Sequence, residues 1–292
     1  MWFKTVSGKI VADVGEFSID LGSKVLLSGP NGSGKTIILT LVKVMYELLA
    51  GKKPESLVDL VGKVSFDYWD HRYIEYYRMF DYFTIELEDG LTATLAPLDD
   101  DDHRMYQYTC GDETVTFDIG KLDSMSTIAR VSTRSVMIPQ DRSCNYGQLL
   151  YNTLNHGVLL MDPIVKWYNF FITDERDKSK WKNPYASIPT WTDDDKPRAV
   201  YKKLEDWFGR LSHGEQELFI HQICLQNYDL VIIDLVEIGF HICVQEAYYE
   251  MLADYRPDGK YFLASTHSPS MLVGYRDRNV DLYDVKQEKA AE

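Results

Sequence analysis

Gly29-Pro30-Asn31-Gly32-Ser33-Gly34-Lys35-Thr36 decides how this chain is read. The stretch fits the pattern G-x-x-x-x-G-K-[ST], in which glycines let successive backbone N–H groups converge on phosphate oxygens at the start of a helix. Its flanks agree. Lys24 to Ser28 is a short apolar run suited to a buried strand. Thr36 to Leu49 carries Ile37, Leu41, Val42, Met45, Leu48 and Leu49 at helical spacing, with Gly51 as a stop. The loop alone could arise by chance, but strand, glycine loop and helix in succession make it specific. Gly29, Asn31, Gly32, Ser33, Gly34, Lys35 and Thr36 are therefore the expected anion cradle. Lys35 supplies a mobile cation for the β and γ phosphates, Thr36 a hydroxyl for magnesium, and the helix its positive dipole end. The ligand class that follows is a nucleoside triphosphate, in the first instance ATP, with Mg2+.

Working outward, Leu230-Val231-Ile232-Ile233-Asp234 is an apolar run ending in an acid. A central parallel strand has this form when it delivers one carboxylate to the edge of a sheet. Any buried strand can end in Asp, so the segment gains meaning only beside the glycine loop, where Asp234 would orient magnesium. Leu211-Ser212-His213-Gly214-Glu215-Gln216 places a Ser-x-x-Glu capping box at a helix start. A capped helix explains it fully; the same geometry also offers Ser212 and the backbone near Gly214 to an anion.

These segments, together with Ser265-Thr266-His267-Ser268-Pro269, resemble the ABC-type ATPases. Within them they resemble the stand-alone relatives of the Rad50, RecF and overcoming-lysogenisation-defect group, the AAA-15 or AAA-21 ATPases. The likeness covers the loop region and about the last third of the chain. It leaves the middle unmatched and implies an α/β fold with a mostly parallel central sheet. It makes Gly29 to Thr36 Walker A, Asp234 the end of Walker B, and Leu211 to Gln216 the signature motif. His267 becomes the switch histidine that senses the γ phosphate. Gln140, in Ile138-Pro139-Gln140-Asp141-Arg142, becomes the Q-loop glutamine beside the metal.

One departure matters. The family pattern after Walker B runs Asp-Glu-Pro-Glu-x-Gly-Leu-His, and its first Glu polarises the attacking water. Here the chain reads Asp234-Leu235-Val236-Glu237-Ile238-Gly239-Phe240-His241, so Leu235 holds that place. Leucine can neither accept a proton nor orient water. Glu237 matches the second acid, and on an extended chain it would lie on the same side as Leu235, about 6–7 Å further on. The implied ATPase is therefore slow, or has Glu237 in the catalytic role beside Lys35, His267 and Gln140.

The rest of the chain bounds this reading. Its 292 residues include 31 Lys plus Arg against 45 Asp plus Glu, a net charge of −14 that gives no global attraction for nucleic acid. The runs Asp99 to Asp102 and Asp193 to Asp195 read as solvated loops rather than metal cages. Cys110, Cys144, Cys224 and Cys243 show neither a C-x-x-C pair nor zinc spacing, which suits reduced thiols and a cytoplasmic setting. No stretch reaches the length of apolar sequence that spans a membrane. Between Gly62 and Gly120 short β-rich segments alternate with Asp, Gly and Pro, and Thr173 to Arg198 is polar and loop-like.

The expected organisation is an ATPase core in two parts, 1–61 and 121–292, with an antiparallel lobe at 62–120. The resemblance further implies an ATP-sandwich homodimer in which Ser212 of one copy meets the nucleotide of the other, serving DNA repair or anti-phage defence. An ATP-loaded switch that recruits an effector such as a nuclease is the alternative. A transporter nucleotide-binding subunit fits less well, because the stretch from Gly29 to Leu211 is longer than that resemblance implies.

Overall fold

Four apolar runs and one short C-terminal strand build the sheet that carries the glycine loop. In chain order the elements are β1 (Phe3–Ile10), β2 (Glu16–Asp20), β3 (Lys24–Ser28), α1 (Lys35–Leu49), β4 (Gly62–Tyr68), β5 (His71–Tyr77), β6 (Phe80–Leu87), β7 (Thr92–Pro97), β8 (Met105–Cys110) and β9 (Glu113–Asp118). They continue with β10 (Ser135–Ile138), α2 (Tyr146–His156), α3 (Pro197–Phe208), α4 (His213–Asn227), β11 (Leu230–Ile233), β12 (Tyr261–Ser265), α5 (Pro269–Val273) and β13 (Asn279–Asp281). The computed structural model describes residues 3–11, 15–21, 24–60, 62–68, 71–77, 79–98, 104–127, 129–130, 135–138, 146–156, 184–237, 239–240, 245, 248, 260–273 and 279–282.

The parallel sheet has the order β10-β11-β12-β3-β13, every neighbouring pair parallel. Its strands are covered on both faces, which is why they read as continuous apolar runs rather than alternating ones. Leu27, Leu230, Ile232 and Leu263 point toward α1 and the antiparallel sheet beyond it. Leu26, Val136, Ile138, Val231, Ile233, Phe262 and Ala264 point the other way, among residues of α2, α3 and α4.

The helix α1 is buried along most of its length, from Lys35 to Leu49, because it lies between two sheets. Gly51, at φ 67, ends it, and its N–H bonds Leu48 O at 3.0 Å. On its other side stands a six-stranded antiparallel sheet of order β2-β1-β6-β7-β8-β9. Alternate residues Phe83, Ile85 and Leu87 of β6 enter the core with Val6 of β1 and Phe17 and Ile19 of β2.

The antiparallel part is therefore not confined to residues 62–120. β6 pairs with β1 along its length, whereas β4 and β5 form a separate two-stranded hairpin. The sequence pattern between 62 and 120 shows strands and turns but cannot show that their partner lies before residue 21. Turns at Glu88-Asp89-Gly90 and Gly111-Asp112 join β6 to β7 and β8 to β9, with Gly90 at φ 84 and Gly111 at φ 58. The loop expected at 173–198 gives way to helix by Pro197, which occupies the first turn of α3. Residues 157–183 and most of residues 244–255 lie outside the described residues.

Candidate functional site

The glycine loop sits at the carboxyl end of β3 and opens α1. Gly34, at φ 92, is the residue before the helix, a left-handed conformation that L side chains resist. Gly29, at φ 138, lies so close to Ser33 that a Cβ there would be 2.9 Å from its Oγ. The loop closes with Ser33 N donating to Pro30 O at 3.2 Å, and the helix begins with Ile38 N donating to Gly34 O at 2.9 Å. The Lys35 ammonium folds back over the loop, donating to Gly29 O at 2.9 Å, Pro30 O at 3.0 Å and Ser33 Oγ at 3.4 Å. Burial pulls Lys35 below its ordinary pKa range, against the nearby carboxylates of Asp234, Glu237 and Asp281, which raise it. Such a cation gains from an arriving anion.

Asp234 leaves the carboxyl end of β11, two strands from β3. Its Oδ2 accepts from Thr36 Oγ1 at 2.8 Å, across 198 residues of sequence. Its Oδ1 accepts from Ser265 Oγ at 2.5 Å, and Ser265 ends β12, the strand between. The same hydroxyl accepts from Leu235 N at 2.8 Å, while Val236 N donates to Ser265 O at 3.0 Å.

Leu235 has φ 58, the one positive φ outside glycine among the described residues. A left-handed non-glycine residue costs about 1–3 kcal/mol and persists only where its surroundings hold it. The chain is thus turned at Leu235 rather than extended, and the simple two-residue offset to Glu237 does not apply. Glu237 instead accepts from the backbone N–H of His267 through Oε1 at 2.7 Å. Its Oε2 is buried without a hydrogen-bond partner.

A cleft of about 370 Å³ lies over this edge, lined by Val11, Asn31, Gly32, Gly34, Lys35, Thr36, Ile37, Leu235 and His267. The fold therefore brings the glycine loop and His267 to one opening, with the Asp234 carboxylate hydrogen-bonded to Thr36. Ser212 is not part of that lining. It is exposed ahead of α4, with its N–H donating to Glu215 Oε2 at 2.7 Å, the box expected from sequence. Gly214 packs against the turn after β11, where an added Cβ would lie 3.1 Å from Gly239 O. Gln140 lies outside the described residues.

Sequence reasoning missed Ser265 and Val11. Ser265 was visible only as one hydroxyl among several in Ser265-Thr266-His267-Ser268, and Val11 carried no signal.

Two further sets of contacts join residues that follow β11 and β12, and α4 to Tyr248. Ser268 Oγ donates to Gln245 Oε1 at 2.5 Å, and Gln245 Nε2 donates to Phe240 O at 2.9 Å. His221 of α4, 1% exposed, contacts the Tyr248 hydroxyl through Nδ1 and lies 3.3 Å from Glu217 Oε2 through Nε2. Burial first, then the Glu217 charge, holds the Tyr248 phenol far above its usual pKa.

The donor set fits magnesium. Mg2+ is a hard ion that takes one or two carboxylates beside phosphate oxygens and water, and Thr36 with Asp234 supplies one hydroxyl and one carboxylate at the cleft floor. Among the described residues no cluster of three or more His, Cys, Asp or Glu suggests a different metal.

No family model and no curated protein matches the chain. Solved structures similar to it include an SMC head domain from Thermotoga maritima, at 13% identity over 94% of this chain and 92% of that one, with a TM-score of 0.43. A putative ABC transporter ATP-binding protein from Pyrococcus furiosus is similar at 12% identity over 96% and 98%, TM-score 0.41. A nucleotide-free ATP-binding cassette from an ABC transporter is similar at 14% identity over 94% and 85%, TM-score 0.37. None of these likenesses carries the reading that follows, which rests on the residues of the cleft. No helix among the described residues is long and apolar enough to cross a membrane.

Proposed function

We propose that this protein is an ABC-type ATPase of the Rad50, RecF and overcoming-lysogenisation-defect kind, which binds ATP with Mg2+ and turns nucleotide state into assembly. The observation that carries this is the Thr36 to Asp234 hydrogen bond of 2.8 Å at the floor of the glycine-loop cleft. Two segments distant in sequence supply, side by side, the hydroxyl and the carboxylate that a metal-bound triphosphate needs.

In this reading the backbone N–H groups from Asn31 to Lys35 cradle the β phosphate, and Lys35 turns from the Gly29 and Pro30 carbonyls to the β and γ oxygens. Thr36 and Asp234, with Gln140 as a further ligand, would hold Mg2+, which would neutralise phosphate charge there. His267, exposed on the cleft rim, senses the γ phosphate. Ser212 and Gly214 of a second copy close over the nucleotide in a homodimer. Leu235 on the cleft wall removes the usual water-orienting carboxylate, so the ATP-bound dimer is long-lived and serves as a switch for an effector protein such as a nuclease, in DNA repair or anti-phage defence.

Titration calorimetry with ATP and Mg2+, paired with light-scattering mass, tests the proposal. Binding with an ATP-dependent doubling of mass is expected. Absence of binding heat would remove the nucleotide reading, and binding at constant mass would remove the dimer.

A further inference from the structure

We infer that Ser265 is the residue that positions the metal-binding carboxylate, and that it does so while holding the turn at Leu235. The inference rests on the nucleotide reading above and deepens it. β3 and β11 are not neighbours in the sheet, since β12 lies between them. Besides the direct Thr36–Asp234 hydrogen bond, the link between the end of β11 and the loop after β3 runs through the end of β12, and Ser265 is the last residue of that strand.

Ser265 is fully buried and spends both capacities of its hydroxyl on the site. It donates to Asp234 Oδ1 at 2.5 Å and accepts from Leu235 N at 2.8 Å. The donor acts on the carboxylate oxygen that Thr36 does not use, so it leaves Oδ2 directed at Thr36 and restrains rotation about the carboxylate. The acceptor satisfies the N–H of a leucine in the left-handed region, which without a partner would have little reason to stay there.

The backbone repeats the arrangement on both sides. Val236 N donates to Ser265 O at 3.0 Å, and Thr266 N donates to Leu27 O of β3 at 3.0 Å. One residue further on, His267 N is held by Glu237. The ends of β11, β12 and β3 are thus stitched together through residues 265–267, and Ser265 is the stitch that touches the metal carboxylate.

A buried serine that merely satisfied its hydrogen bonds would contribute stability alone. A positioning serine also sets how well Mg2+ is held, and partners behind a metal ligand are typically worth about 10- to 100-fold in metal affinity. The test measures binding of a non-hydrolysable ATP analogue by calorimetry while Mg2+ is titrated, and again in EDTA, for the parent, Ser265→Ala and Ser265→Cys, each with a thermal melt.

Ser265→Ala is expected to raise the Mg2+ concentration for half-maximal effect about tenfold while binding in EDTA stays as in the parent, with Ser265→Cys, a weaker donor of similar shape, in between. Equal Mg2+ dependence in all three proteins overturns the inference, as does an equal loss of affinity with and without Mg2+. If Ser265→Ala does not fold, the shift in Ser265→Cys decides alone. A parent that binds no nucleotide overturns the reading beneath the inference instead, and the two failures are told apart by the parent's own titration.

Discussion

Glu237 grips the backbone of His267, its Oε1 2.7 Å from that N–H, so the acid after β11 and the histidine after β12 are joined before any ligand contact is considered. The carboxylate has two possible jobs. As a strut it needs one accepting oxygen, and as a base or water-orienting group it needs a charge. Glutamine keeps the first and loses the second. If Glu237 is only a strut, Glu237→Gln leaves ATP turnover near the parent value while Glu237→Ala lowers it. Turnover falling by about 10²-fold or more in both variants assigns Glu237 to the chemistry. Steady-state phosphate release measures the difference.

Lys35 is expected to be indispensable for nucleotide affinity. Its ammonium is already partly stripped of water and sits against loop carbonyls, so exchanging those for phosphate oxygens gains charge-assisted hydrogen bonds with little new desolvation. Lys35→Ala should weaken ATP at least tenfold while preserving the thermal melt to within a few degrees. Undiminished ATP affinity in a folded Lys35→Ala protein would contradict the assignment of the loop.

Assembly is expected to depend on Ser212. It is exposed, stands at the N-terminus of α4, and lies outside the lining of its own chain's cleft. Ser212→Trp should leave ATP binding by the monomer intact and abolish the ATP-dependent rise in mass seen by light scattering. A rise in mass identical to the parent's would place the contact elsewhere.

Replacement of residues 62–120 by a short linker is expected to unfold the protein. The segment holds Phe80, Phe83, Ile85, Leu87, Leu95, Tyr106 and Phe117, all buried in the cluster that also receives Leu41 and Met45 of α1. Each such side chain is worth about 1.5–3 kcal/mol of burial. Together they come to roughly 10–20 kcal/mol, comparable to or larger than the roughly 5–15 kcal/mol net stability of a domain. A folded deletion variant with a cooperative melt would show that β1 and β2 need no further strands.

The parallel half of the fold was legible because its strands are buried on both faces and are punctuated by chemistry, a glycine loop after β3 and an acid after β11. The positions of the glycine loop, Asp234 and His267 at strand ends were readable for the same reason, since each follows a buried apolar run. The antiparallel half showed its strands by alternation, as in Phe83, Ile85 and Leu87, but not their pairing, because nothing in β1 specifies β6 as its neighbour. The left-handed turn at Leu235 was hidden, since leucine gives no sign of positive φ and the cause, the hydroxyl of Ser265, lies 30 residues away.

The side chain at 235 is expected to set the rate of ATP turnover. Leu235 lines the cleft on the same opening as Lys35, Thr36 and His267, so a longer side chain with a carboxylate there would face the place where water meets the γ phosphate. Groups that orient or deprotonate water contribute about 10²–10⁴-fold, and holding the metal is a separate task, which the proposed function gives to Asp234. Leu235→Glu should therefore raise turnover at least tenfold over the parent. Leu235→Ala separates the effect of acid from the effect of removing bulk, since it opens the cleft without supplying a base, and its turnover should stay within about twofold of the parent. The backbone strain at φ 58 is common to all three side chains, so differences among them report the side chain alone. A parent that already hydrolyses ATP at several turnovers per second and is unmoved by Leu235→Glu would show that water is activated by another group, with Glu237 the first to examine through its buried Oε2.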